Sequence, residues 1–187
     1  MSPPRLLILP GSLRTGSYNL ALATHAARRA PELGFASARV LDLRALALPV
    51  YDGDLEKAEG VPAGALTLQQ ALRESEALLL VTPEYNSFPP PLLINALDWL
   101  SRLPENVTTL KPTALMSASP GVYGGLRALN LLRLFVQGNF QLLAQPQQFA
   151  LSRADQAFDA EGGLKDERAQ GSVDGVLKAL AALATKF

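Results

Sequence analysis

Three uninterrupted apolar runs constrain this chain most: Leu6-Leu-Ile-Leu9, Ala77-Leu-Leu-Leu-Val-Thr82 and Thr113-Ala-Leu-Met-Ser117. Such runs lack the in–out alternation of a strand with one wet face. They describe strands buried on both sides, a situation that belongs to parallel sheets covered by helices. Segments of helical period fill the intervals. We read strands at Arg5–Leu9, Ala38–Leu43, Ala77–Thr82 and Thr113–Ser117, with a fifth inside Gln141–Leu151. Helices are expected at Tyr18–Leu33, Leu66–Ser75, Pro90–Leu103, Gly125–Gly138 and Ser172–Lys186.

Alternation of this kind predicts an α/β fold with right-handed crossovers. The expected architecture is a flavodoxin-like three-layer sandwich, its five-stranded parallel sheet in the order 2-1-3-4-5, as one domain over residues 1–187. Ligands of such sheets sit at the carboxyl ends of the strands. The Pro-, Gly- and acid-rich stretch Leu48–Gly64 reads as a loop, with Asp52–Glu56 solvated.

Lysine plus arginine balance aspartate plus glutamate at 17 each. Nucleic-acid and membrane-surface binders carry a basic excess, so neither partner is expected. The chain contains no cysteine. That excludes disulfides, thiolate catalysis and Cys-held metal clusters, and it fits a reducing cytoplasm. No apolar run reaches the length of a signal peptide core or a membrane span. His25 has no candidate catalytic partners, so a structural role is expected. The sequence Asp155-Gln-Ala-Phe-Asp-Ala-Glu-Gly162 fails as a calcium loop, because Ala157 stands where the first aspartate belongs. No metal site is expected.

The chemistry gathers at strand ends. After the first strand comes Gly11-Ser-Leu-Arg-Thr-Gly-Ser-Tyr-Asn19. Its glycines have the spacing of a nucleoside-triphosphate loop, but Ser17 and Tyr18 replace the lysine and the magnesium-binding hydroxyl. Ser12, Arg14, Ser17 and Asn19 around a helix start suit a single phosphate held without metal. They also fit a plainly capped helix beside a solvated arginine. The third strand leads into Thr82-Pro-Glu-Tyr-Asn-Ser-Phe-Pro-Pro-Pro91, a stiff loop able to read the edge of a planar ring. The fourth leads into Ser117-Ala-Ser-Pro-Gly-Val-Tyr-Gly-Gly125, whose glycines permit close approach. Together the three loops ask for a phosphorylated flat ligand.

These segments, with Asn95-Ala-Leu-Asp-Trp-Leu-Ser-Arg102 and the tail Ala157-Phe-Asp-Ala-Glu-Gly-Gly-Leu164, resemble the NADPH-dependent FMN reductase family, which includes quinone, chromate and azo reductases. The likeness covers almost the whole chain. It implies bound FMN, NADPH or NADH as electron donor, and a small-molecule electron acceptor. Position by position it places Ser12, Arg14, Ser17, Tyr18 and Asn19 around the FMN phosphate. Pro83, Glu84, Tyr85 and Asn86 fall along the isoalloxazine, and Ser117, Ser119 and Gly121 in the third loop. Relatives assemble through the region of Trp99, so a homodimer or homotetramer with Trp99 at the interface is expected. Three positions depart from the pattern: Phe88 replaces a hydroxyl, Pro89 an aliphatic residue, and Pro10 a small one.

Flavin chemistry needs no acid or base from the protein, and none is singled out. Glu84 is expected to contribute backbone rather than a carboxylate over the ring. The alternative within this reading is an FMN-binding electron carrier or interaction protein without its own turnover.

Overall fold

The structure, a computed structural model, describes residues 2–186. Its strands are β1 (Arg5–Pro10), β2 (Ser37–Val40), β3 (Ala77–Thr82), β4 (Pro112–Ala118) and β5 (Leu143–Leu151). All pair in parallel, in the order β2-β1-β3-β4-β5. The helices are α1 (Tyr18–Arg29), α2 (Gly53–Glu59), α3 (Ala63–Arg73), α4 (Pro91–Leu100), α5 (Leu126–Phe140) and α6 (Glu167–Ala184).

The apolar runs are continuous because each strand feeds two cores. Leu6, Ile8, Leu79, Val81, Ala114 and Met116 pack toward α1 and α6. Their neighbours Leu7, Leu9, Leu78, Leu80 and Leu115 pack toward α3, α4 and α5. Successive side chains of a strand point to opposite faces, so both faces are apolar except at the strand ends, where Thr82, Thr113 and Ser117 are buried with hydrogen-bonded hydroxyls. Each fully buried leucine contributes about 1.5–3 kcal/mol. The expected three-layer sandwich and strand order are both present.

Local differences from the sequence reading have physical causes. Leu48–Gly64 is not simply a loop, because it contains α2 and the start of α3. The acidic run forms a capped helical turn: the Asp52 carboxylate accepts from the N–H of Asp54 and Leu55. Glu56 then accepts from the Tyr51 hydroxyl at 2.9 Å and from Arg102 at 3.0 Å. Helix α6 begins five residues before the expected start, capped by Asp166, whose carboxylate accepts from Arg168 and Ala169 N–H.

Trp99 is not an interface residue. Its side chain is fully buried, and its indole N–H donates to the Pro49 carbonyl at 2.7 Å. The Pro49–Tyr51 segment covers it, held further by the Asn95 amide at both Pro49 O and Tyr51 N. The expectation failed because the chain supplies its own cover for the tryptophan. His25, also buried, is seated in the core between α1 and α6 with its Nε2 unpartnered among the described residues. Burial lowers its pKa first of all, and Asp174 opposes that effect more weakly.

Candidate active site

The carboxyl ends of β1, β3 and β4 converge on a cleft of about 480 Å³. The first loop turns into α1 with Gly16 at φ +67°, a conformation that glycine adopts without strain. Ser17 caps the helix, its Oγ accepting from Leu20 N–H at 3.3 Å. Arg14 lies with its guanidinium 4.8 Å from the Tyr18 ring centre and donates to Gly16 O. Arg44 braces the loop from outside by donating to Leu13 O.

Within this loop, the N–H groups of Ser12, Gly16, Tyr18 and Asn19 meet no acceptor among the described residues. The first turn of α1 carries no acidic side chain. The positive end of the helix therefore faces the cleft uncompensated. Free N–H groups, a guanidinium and a helix start form a seat for an anion that needs no metal.

Asn19 has a different task. Its amide donates to Ala118 O and accepts from Ala118 N–H, each at 2.9 Å, which ties α1 to the end of β4.

The second loop folds back on itself. Tyr85 and Phe88 exchange backbone hydrogen bonds of 2.9 and 3.0 Å around Asn86 and Ser87, whose φ angles are +52° and +66°. Positive φ at both central positions defines a tight primed turn. Buried prolines 83, 89 and 90 hold its base. Tyr85 projects about half-exposed at the cleft edge, with Phe88 beside it on the outer side.

Glu84 connects this hairpin to the third loop. Its carboxylate accepts from Arg127 Nη2 at 2.6 Å and from the N–H groups of Arg127 and Ala128 at 3.1 and 3.2 Å. The side chain thus turns to the start of α5. Burial works to raise its pKa, but the bonds from Arg127 and the helix N–H groups outweigh it and leave it below the usual carboxylate range. Arg127 in turn lies against the Tyr123 ring.

In the third loop, Gly124 comes so close to β5 that an added Cβ would stand 2.7 Å from the Leu151 carbonyl carbon. The Ser117 hydroxyl donates to Gly124 O at 2.8 Å and fixes the bend.

Among the residues expected from sequence, Ser12, Arg14, Ser17, Tyr18, Asn19, Pro83, Glu84, Tyr85 and Ser119 line the common cleft. The others do not line it. Ser117 is buried behind the wall, Asn86 sits at the hairpin tip, and Gly121 is exposed on the far side of the third loop. Ala118 and Pro120 also line the cleft. They carry no side-chain chemistry by which sequence could find them. Arg127 and Arg44 were missed because their partners lie 43 and 31 residues away.

Residues 4–156 match the NADPH-dependent FMN reductase family. The chain belongs to that family. It is 41% identical over 130 residues to a quinone reductase of Escherichia coli K12, covering 69% of this chain and 67% of the relative. It is 37% identical over 177 residues to an NAD(P)H-dependent FMN reductase of Pseudomonas aeruginosa, covering 94% and 92%. The flavoenzyme NAD(P)H:(acceptor) oxidoreductase FerB of Paracoccus denitrificans superposes with a TM-score of 0.84 at 28% identity over 98% of each chain. In this member of the FMN reductase family the anion seat, hairpin and glycine wall stand together at the carboxyl ends of β1, β3 and β4. No helix among the described residues is long and apolar enough to cross a membrane.

Proposed function

We propose that this chain is an FMN-dependent NAD(P)H oxidoreductase that passes electrons to small acceptors such as quinones, azo compounds, metal oxyanions or free flavin. The observation that carries this reading is the anion seat: free N–H groups and Arg14 at an uncompensated helix start, with no lysine and no metal-binding hydroxyl. A monophosphate fits that donor set, whereas a triphosphate would lack its main counter-charge. Ser12, Arg14, Ser17, Tyr18 and Asn19 surround the phosphate, and Asn19 keeps α1 against β4 while doing so. Pro83, Glu84 and Tyr85 form the side along the ring and Ser119 the opposite wall, with Asn86 at the hairpin tip, Gly121 outside the cleft and Ser117 fixing the bend behind the wall. Bound FMN supplies a ring that accepts and releases hydride.

The protein's part is positional. The hairpin and the Glu84–Arg127 clamp hold two walls at fixed separation, so little freedom is lost when a flat ring enters. Among the described residues lining the cleft, the carboxylate of Glu84 is not free to face the ring, since it is bound at α5. We further propose self-association into a homodimer or homotetramer. Exposed Val122, Tyr123, Leu126, Leu131 and Leu134 along the third loop and α5, interspersed with Arg127 and Asn130, offer a mixed apolar and polar face for it. A reducing, cytoplasmic setting agrees with the absence of cysteine.

The test is a visible spectrum of the purified protein, taken before and after FMN is added and excess removed. Retained flavin absorbance, bleached by NADPH and restored by quinone, is the expected result. Retention without bleaching would make the protein a carrier, and failure to retain FMN in a folded protein would remove the reading altogether.

A further inference from the structure

A second groove, of about 780 Å³, opens at the carboxyl end of β5. Phe149, Leu151 and Ala157 line its apolar part, and Ser152, Arg153 and Arg168 supply its polar groups. It shares a wall with the cleft. Ser119 N–H donates to Leu151 O at 3.0 Å, Ala154 N–H to Ser119 O at 3.1 Å, and Arg153 N–H to Gly121 O at 3.5 Å. Two hydrogen-bonded backbone segments, Ser119–Gly121 on the cleft side and Leu151–Ala154 on the groove side, therefore separate the two hollows.

The arginines of the groove stand apart from the rest. Every other arginine of the chain bonds or ion-pairs through its guanidinium to a side-chain or backbone oxygen, as Arg29 does with Asp174 and Arg133 with Gln148. Among the described residues, the guanidiniums of Arg153 and Arg168 have no such partner, and both line this one groove. Arg153 also holds φ +48°, a left-handed conformation that residues with a Cβ adopt sparingly. One carboxylate, Asp166, also lines the groove, but it is engaged by the N–H groups at the start of α6. The groove is thus cationic at its rim and apolar along part of its lining.

We infer that this groove seats the 2′-phosphorylated adenosine end of the electron donor, so that Arg153 and Arg168 select NADPH over NADH. The inference rests on the oxidoreductase reading above. Two free planar guanidiniums match a dianionic phosphate monoester, which each can grip with paired N–H groups. NADH presents a hydroxyl at that place and gives them nothing to neutralise. The FMN phosphate has its own seat in the first loop, which leaves these two exposed charges open to a different anion. With the nicotinamide in the cleft, the dinucleotide reaches the groove by crossing the Ser119–Gly121 wall. Arg168 lies beyond the stretch 4–156 that matches the family.

Two measurements on the purified protein, with whatever flavin it holds, test this. The first is calorimetric titration with adenosine 2′,5′-bisphosphate and with AMP. The bisphosphate is expected to bind at least tenfold tighter than AMP, and the Arg153→Ala/Arg168→Ala double variant is expected to lose that difference. The second is the ratio of kcat/KM for NADPH to that for NADH, expected to fall about tenfold with either single variant, while Arg153→Lys and Arg168→Lys retain part of it. Equal affinity for AMP and the bisphosphate in the unaltered protein would overturn the inference, as would a nucleotide ratio unchanged in the double variant. A protein that oxidises neither nucleotide would refute the oxidoreductase reading by itself, and the calorimetric comparison would still decide the groove.

Discussion

The Asn19 side chain and the Ala118 backbone exchange two hydrogen bonds of 2.9 Å across 99 residues of sequence. The amide behaves as one more residue of a parallel ladder, satisfying both polar groups of a buried strand end. Asn19→Ala would leave that N–H and C=O unpaired away from water, which destabilises by about 1–3 kcal/mol. The urea midpoint should fall accordingly, and FMN should dissociate more readily because the first loop loses its tie to β4. Asn19→Asp is expected to weaken stability too, since a carboxylate would face the Ala118 carbonyl. If Asn19 acted only as a phosphate contact, FMN affinity would drop while the urea midpoint stayed in place.

Glu84 and Arg127 make an unequal pair. Arg127 is largely exposed, and its loss still leaves Glu84 the two N–H groups at the start of α5. Glu84 is the less exposed partner and accepts from four N–H donors at once. Glu84→Gln should therefore destabilise by about 1.5–3 kcal/mol, the range for bonds to charged groups, and Arg127→Ala by less than about 1 kcal/mol. The carboxyl is held below its ordinary value of 4.5, so its stabilisation is complete above that pH and is lost as pH falls through the lower folded value. Denaturation midpoints between neutral pH and acid should fall less steeply in Glu84→Gln than in the unaltered protein.

The sheet was legible because its strands are buried on both faces, which leaves a run such as Leu6–Leu9 no polar residue to break it. The loops were legible because only glycine, proline and small polar residues make such turns. Helix α2 was hidden: it has seven residues, buries none of them, and so carries no apolar period. The true start of α6 was masked by Gly171, which lowers local helix propensity although the helix interior tolerates it. Asn19 was expected beside the phosphate but not as a strand mimic, since its partner is a backbone that no residue type reveals. Trp99 misled for a related reason, because Pro49–Tyr51 covers it through bonds that only the folded chain brings together.

Among the described residues Arg14 is the one full positive charge lining the cleft, and it is held in place by Tyr18 and Gly16. A charge-assisted bond to phosphate contributes about 1.5–3 kcal/mol. Arg14→Ala should thus raise the FMN dissociation constant by roughly 10- to 150-fold, as measured by quenching of flavin fluorescence. Riboflavin, which lacks the phosphate, should lose little affinity in the same variant. Arg14 is exposed, so thermal stability of the flavin-free protein should stay within about 0.5 kcal/mol of its original value. An equal loss for riboflavin and FMN would place Arg14 against the ring and not the phosphate.

His25 offers a clean reading of pH because it is the only histidine in the chain. Burial favours its neutral form, and Arg28 and Arg29 add to that effect, while Asp174 and Asp159 oppose it. Its folded pKa lies below the ordinary 6.5, so the unfolded chain takes up the proton first as pH falls. Stability should accordingly decline as pH drops below about 6.5, continuing until the folded protein also binds the proton. The unpartnered Nε2 means that no hydrogen bond is lost when the ring is replaced by an apolar one. His25→Phe should therefore match or exceed the original stability at pH 7.5 and show a flat urea midpoint between pH 7 and 5.5. A midpoint that still fell across that range would assign the dependence to a group other than His25.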